Sequence, residues 1–369
     1  MDNFIVSARK YRPTNFDSVI GQKHVAETLM HEIETNKLAQ AFLFTGPRGV
    51  GKTTCARILA KVINSRVEGV DPNQDFAFNI FELDAASNNS VDDIRHLIDQ
   101  VRIPPQVGKY KVYIIDEVHM LSSAAFNAFL KTLEEPPSYA IFILATTEKH
   151  KILPTILSRC QVFNFNRIEI KDMVEHLKEI AAKEGVQADE NALHLIARKA
   201  DGGLRDALSI FDQLVSYTGG TVTYEKAVEI LNVLDNETFF AITEALLKSD
   251  VAHCLLTFDD ILRRGFDGSS FIGGLATHLR NLAVCKDART ETLLDIGTAF
   301  ADKYRQQASA ISFAFILNAL NIVNDCDDKY KASRNPRLLI ELCLMKLAHL
   351  NSYLVGIGDI EDLKKKFLK

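Results

Sequence analysis

The sequence predicts an α/β module, a parallel sheet between layers of helix, followed by domains that are helical throughout. Three observations predict it. From Ala41 to Phe165, short apolar runs alternate with amphipathic stretches at helical spacing. The first of those runs leads directly into Gly46-Pro47-Arg48-Gly49-Val50-Gly51-Lys52-Thr53, which fits the G-x-x-x-x-G-K-[ST] phosphate-binding loop at every required position. From about Ile168 to the end the pattern is helical, with no further convincing strand.

Each element follows from its own residues. His24 to Lys37 reads as a helix, with Val25, Leu29, Ile33 and, less regularly, Leu38 on one face. Ala41-Phe42-Leu43-Phe44 is a strand, and Thr54 to Lys61 is the amphipathic helix after the loop. A polar connection follows from Ser65 to Asp75, then a strand at Asn79–Leu83. Ser90 is the expected N-cap of a helix over Val91–Val101, whose first turn carries Asp92 and Asp93. Pro104-Pro105 stops it. Lys111–Ile115 is a buried strand ending in Asp116-Glu117, Ser122–Leu133 is a helix closed by Pro136-Pro137, and Ala140–Thr147 is another apolar strand. Val162–Phe165 is a short final strand. Beyond it, Gly202–Leu208 opens a helix, Tyr217–Thr221 is a turn cluster, and Leu234-Asp235-Asn236 precedes long helices running to about Leu354. The Lys364-Lys365-Lys366 end reads as a solvated tail.

A chain of 369 residues is expected to hold about two to three domains. A hydrophobic content of 47% supplies ample core material. No stretch has the apolar length of a signal peptide or a membrane span, so no membrane partner is expected. The six cysteines are scattered and form no CxxC pair, which speaks against a disulfide framework and fits a reducing cytoplasm. A net charge of −5 argues against a generally basic nucleic-acid binder. Any DNA contact has to come from a local basic surface or from helix N-termini.

The chemistry-bearing residues cluster around the loop. Gly46, Gly49 and Gly51 let the backbone turn back and aim successive N–H groups at phosphate oxygens. Val50 and Thr54 complete the nucleotide-binding stretch, Lys52 supplies a point charge to the outer phosphates, and the Thr53 hydroxyl can complete a Mg²⁺ shell. Asp116 and Glu117 stand at the carboxyl edge of the sheet, where ligands bind in such folds. One acid suits the Mg²⁺ water shell and the other the attacking water. His119 reads as packing. Thr146-Thr147 ends the neighbouring strand, where a hydroxyl can sense a γ-phosphate or the water, although polar strand ends are common. From spacing alone, Arg159 is a surface ion-pair partner and Arg205 an N-terminal helix residue beside two glycines.

Together these motifs resemble the AAA+ ATPases of the clamp-loader clade, and within it the gamma/tau subunits of bacterial DNA polymerase III. The carriers are Ala8–Pro13, Val19–Gln22, Gly46–Thr53, Asp84–Ser87, Asp116–Leu121, Lys131–Pro137, Ser158–Cys160, Gly203–Leu208 and Asn335–Glu341, covering nearly the whole chain. The resemblance implies a nucleotide-binding AAA+ α/β domain at 1–167, a small helical lid domain at 168–233 and an all-α collar or oligomerisation domain at 234–369. It implies ATP and Mg²⁺, with Thr147 as sensor 1, Arg205 as a sensor 2 arginine acting in cis, and Arg159 as an arginine finger acting in trans. Arg12, Pro13, Val19 and Ile20 would line the adenine pocket. The implied role is an ATP-hydrolysing motor subunit that loads a sliding clamp onto primer-template DNA, in a hetero-oligomeric ring with delta-type and delta-prime-type subunits. A non-hydrolysing scaffold subunit of that assembly and a DNA repair or recombination ATPase are the alternatives. Two departures stand out. Family members usually insert a four-cysteine zinc module after the phosphate-loop helix, whereas here no cysteine lies between Cys55 and Cys160, so no zinc is expected. Asn88 stands at a position that is sometimes basic and DNA-facing. The sequence ends at Lys369, without the long tail of tau forms.

Overall fold

The computed structural model describes residues 5–66, 76, 78–294 and 298–350. Five parallel strands form the main sheet: β1 (Ala41–Thr45), β2 (Ile80–Asp84), β3 (Lys111–Asp116), β4 (Ala140–Thr146) and β5 (Gln161–Asn164), in the order β2-β3-β4-β1-β5. β1, the inner strand next to edge strand β5, pairs with β4 on one side and β5 on the other, Thr45 lying opposite both Thr146 and Asn164. The sheet is covered on both faces, as an all-parallel sheet requires, and its strand residues alternate accordingly. Phe42 and Phe44 pack among Leu29 and Ile33 of α2 (Lys23–Glu34) and Cys55 and Leu59 of α3 (Lys52–Ser65). Ala41 and Leu43 face the opposite layer, with Ile94 and Leu97 of α4 (Val91–Val101) and Phe126 and Phe129 of α5 (Ser123–Glu134).

Caps and stops follow local chemistry. Ser90 accepts the Asp93 N–H while the Asp93 carboxylate accepts that of Ser90, a capping box at the expected start of α4. α2 ends at Glu34 rather than Lys37. Asn36 takes a left-handed backbone (φ 53°), and this turns the chain out of the helix before Lys37.

Around the sheet the first compact unit, which runs to Gln187 and resumes at Ile196–Thr221, adds α1 (Ser7–Lys10), α6 (Pro154–Leu157), α7 (Ile170–Glu184) and α9 (Leu204–Thr218). Between α7 and α9 the chain forms α8 (Glu190–Lys199). Two corrections fall here. Short strands β6 (Gln187–Ala188) and β7 (Thr221–Val222) exist where no strand is expected, because two residues leave no readable alternation. The turn after α9 starts at Gly219 (φ 64°) rather than Tyr217, since Tyr217 and Thr218 still belong to the helix.

The second unit, Ala188–Leu195 and the chain from Val222, is built on α10 (Tyr224–Ile230), α11 (Asn236–Leu247), α12 (Val251–Arg263), α13 (Gly268–Val284), α14 (Thr298–Ala310) and α15 (Phe313–Tyr330). Residues 336–350 are helical too. Phe239, Phe258, Phe271, Leu275, Tyr304, Phe315 and Leu344 share one core. Inside it, buried His278 sits between the Tyr304 hydroxyl and the Gln307 amide oxygen, 3.0 Å from each, and burial pulls its pKa down to about 4. Among the described residues no single helix is long and apolar enough to cross a membrane. Residues 67–75, which belong to the connection read for zinc, and the lysine-rich end lie outside the described residues.

Candidate functional site

The site forms where β1 and β3 end and α3 begins. Gly46 follows β1 at φ 149°, and a Cβ there would lie 2.2 Å from the Phe165 carbonyl oxygen, so no side chain fits. Gly51 takes φ 105° as the residue before α3, turning the chain into the helix, whose first N–H groups have no side-chain cap. Lys52 is buried and folds over the loop, its Nζ donating to the Gly46 and Pro47 carbonyls at 2.7 and 2.6 Å. Burial holds its ammonium below the ordinary lysine value. Glu117 and Asp116 offset part of that, and Arg205 adds to it.

At the end of β3 both oxygens of Asp116 are engaged. Oδ2 accepts the Thr53 hydroxyl at 2.7 Å, and Oδ1 accepts the Glu117 N–H at 3.0 Å. Glu117 takes a left-handed backbone (φ 47°, ψ 44°), a conformation costing roughly 1–2 kcal/mol in a residue with a Cβ. Such strain persists where the surroundings fix it and is typical of functional turns. Here the residue that follows β4 does the holding, since the Thr147 N–H and hydroxyl both donate to Glu117 Oε2, at 3.2 and 3.0 Å.

One cleft gathers these groups. Lys52, Thr53, Asp116, Glu117 and Arg205 line it together with Gly49, Val50, Gly51 and Thr54. Arg12, Pro13, Val19 and Ile20 line the same cleft, so apolar side chains and charged ones share it, as a nucleotide's base and phosphates require. The Arg205 N–H reaches the Gly49 carbonyl at 3.4 Å, which ties the start of α9 to the loop. Thr53 and Asp116 offer one hydroxyl and one carboxylate oxygen at the head of α3. That donor set fits magnesium, which takes most of its ligands from water and phosphate. Among the described residues no group of three or more His, Cys, Asp or Glu is placed to hold a metal by itself.

Comparison with known proteins gives three consecutive matches. Residues 21–169 match the family described as DNA polymerase III, delta subunit, residues 172–220 the DNA polymerase III clamp loader subunit, ATPase lid domain, and residues 222–363 the DNA polymerase III subunits gamma and tau domain III. The DNA polymerase III subunit gamma of Buchnera aphidicola is 38% identical over 268 residues, covering 69% of this chain and 72% of the relative. The chain belongs to the DNA polymerase III gamma/tau family. The subunit tau of Bacillus subtilis is 38% identical over 97% of this chain, and that of Escherichia coli 38% over 76%. The chain spans 66% and 46% of those two relatives.

Within this gamma/tau chain three of the expected residues lie outside the cleft lining: Gly46, at the start of the loop, Thr147 and Arg159. Thr147 is one contact removed, its hydroxyl committed to Glu117. Arg159 is held locally: Nη2 pairs with Glu134 at 2.6 Å, and Nη1 donates to the Thr155 carbonyl at 2.6 Å. That arrangement is the ion pair its spacing suggests. His119 needs a different account from the packing role expected of it. It is buried but wired, with Nδ1 2.9 Å from Thr146 Oγ1 and Nε2 3.0 Å from Glu148. Also missed were Ala8, Tyr11, Arg48, Ile168, Leu204 and Leu208, which line the same cleft. Their only signal in sequence is adjacency to the motifs, because the chain brings them together from four separate stretches.

Proposed function

We propose that this chain is an ATP-hydrolysing motor subunit of a clamp loader, acting with delta-type and delta-prime-type subunits to place a sliding clamp on primer-template DNA in the cytoplasm. The carrying observation is the single cleft in which Lys52, Thr53, Asp116 and Glu117 converge beside Arg205. ATP would lie with its base against Arg12, Pro13, Val19 and Ile20 and its phosphates on the loop. Lys52, now bonded to two loop carbonyls, has only to swing its ammonium to the outer phosphates, and Arg205 adds a second fixed positive charge there. Thr53 and Asp116 would hold Mg²⁺ and its water shell, and the ion would neutralise phosphate charge. Glu117, with Oε2 held by Thr147, keeps its other oxygen for orienting the attacking water.

The three-domain division at 1–167, 168–233 and 234–369 belongs to the same proposal, with the third domain as the collar. The retained Lys52, Asp116 and Glu117 favour hydrolysis over a scaffold role. The match of residues 222–363 to a gamma and tau domain favours replication over repair. Turnover of the chain alone, then with partner subunits, clamp and primed DNA, tests the reading. Stimulated hydrolysis is expected, reduced to background by Lys52→Ala with the fold retained, because the glycines and not Lys52 set the loop backbone. Hydrolysis by Lys52→Ala at the parental rate would overturn the site assignment.

A further inference from the structure

His119 is not part of the cleft lining; it stands on the turn Val118–Met120 that follows Glu117, and its side chain is only 7% exposed. Its Nε2 faces the Glu148 carboxylate at 3.0 Å and therefore donates to it. In the neutral ring Nδ1 is then an acceptor, and it takes the Thr146 O–H at 2.9 Å. Thr146 Oγ1 in turn accepts the Glu148 N–H at 3.0 Å. The side chain thus closes a ring with the end of β4, fixing the Thr146–Glu148 backbone on both sides of Thr147. Thr147 is the residue whose N–H and hydroxyl hold Glu117 Oε2, and His119 Nδ1 itself stands 3.4 Å from that oxygen. Glu148 is anchored from outside by Lys151 at 2.8 Å.

We propose that His119 is a positioning residue for Glu117, locking the Thr146–Glu148 strand end that aims the Glu117 carboxylate, with Glu148 as the residue that orients the imidazole. This rests on the hydrolytic reading of Glu117. A carboxylate that orients water has to be held in place before the reaction, because a small misalignment at the reacting centre costs much of the rate. The Glu117 turn has the left-handed backbone that only surrounding contacts maintain. Losing His119 should therefore lower turnover and leave nucleotide binding alone, since its polar contacts are with Thr146, Glu117 and Glu148 and it is not part of the cleft lining.

The test compares His119→Phe, His119→Asn and Glu148→Ala with the parent, in the assembled complex with clamp and primed DNA. His119→Phe keeps the ring volume and loses both nitrogens. It is expected to lower kcat at least tenfold, with nucleotide Kd and thermal midpoint within the parental range. His119→Asn can still reach Thr146 and is expected to recover most of that loss. Glu148→Ala, a change at a half-buried position, is expected to lower kcat severalfold. Adding His119→Phe to Glu117→Gln is expected to change kcat no further. Parental kcat in both His119→Phe and Glu148→Ala would overturn the proposal. So would a loss of Kd in step with kcat, or equal loss in the Phe and Asn variants together with a lowered thermal midpoint. A parent without turnover would instead remove the hydrolytic reading itself.

Discussion

Glu117 and Asp116 are adjacent carboxylates with different duties, and their partners separate them. Asp116 has both oxygens occupied by Thr53 and by the Glu117 N–H, so it is fixed against the head of α3. Glu117 accepts hydrogen bonds from Thr147 through Oε2, the oxygen that His119 also faces. Replacing Glu117 with Gln removes the charge that, on the proposed reading, draws a proton from water, and keeps the shape of the side chain. The expected outcome is a chain that binds ATP with near-parental affinity and turns it over at least a hundredfold more slowly, trapping the bound state. Equilibrium binding measured beside single-turnover hydrolysis checks it. Affinity falling in step with turnover would move Glu117 from the chemistry to binding. What the sequence conceals at this scale is the wiring. Asp116-Glu117 can be read from its place after an apolar run, whereas the His119–Thr146 contact exists only because β3 and β4 are neighbours with Ile115 opposite Leu144.

At the scale of elements, α9 carries two contacts two turns apart on one face. Its start, at Arg205, meets the phosphate loop, and Asp212 accepts from the Ser7 N–H at 2.7 Å and also from the Ser7 hydroxyl. Glu184 of α7 holds the same N-terminal segment through Lys10, at 2.6 Å, and through the Tyr11 hydroxyl. That segment supplies Ala8, Tyr11, Arg12 and Pro13 to the cleft, so a base docked there rests on a wall fastened by α7 and α9. Asp212→Ala breaks a charge-assisted bond of the kind worth about 1.5–3 kcal/mol. The expected outcome is a nucleotide Kd raised about tenfold, with kcat at saturating ATP within about twofold of the parent. A double-mutant cycle with Ser7→Ala checks it, because coupled sites give a non-additive loss of affinity. Additive losses would show that the two residues act separately. The fold was legible to the extent that its determinants are local. The phosphate loop with its flanking strand and helix, the Ser90 cap and the proline stops each sit within a few residues of one another. The order β2-β3-β4-β1-β5 was not, since β1 pairs with strands about a hundred residues away, and neither was the Ser7–Asp212 fastening, whose partners lie 205 residues apart.

At the scale of the whole molecule, Arg159 distinguishes a self-sufficient ATPase from one completed by its neighbour. Its guanidinium lies outside its own cleft and is held by Glu134 and the Thr155 carbonyl, with about a third of the side chain exposed. A partly exposed pair of this kind contributes about 0–1 kcal/mol, so a purely local role forecasts a slightly less stable chain with unchanged hydrolysis. A role in trans forecasts something else. Guanidinium charge cannot be titrated away near neutral pH and donates to several phosphate oxygens at once. A finger supplied by an adjacent subunit is worth on the order of 10³ or more in phosphoryl transfer. Arg159→Ala is then expected to bind ATP at near-parental affinity and melt within a few degrees of the parent, yet to lose stimulated turnover in the assembly. Mixing decides between the two. An Arg159→Ala chain keeps Lys52 and its own cleft, and a Lys52→Ala chain keeps the arginine its neighbour needs. Head-to-tail pairing of the two rebuilds a site with both groups present. Clamp-stimulated hydrolysis measured across mixing ratios is expected to rise from background at either end to a maximum between them. Background activity at every ratio, with mixed assembly confirmed by mass, would confine Arg159 to its pair with Glu134.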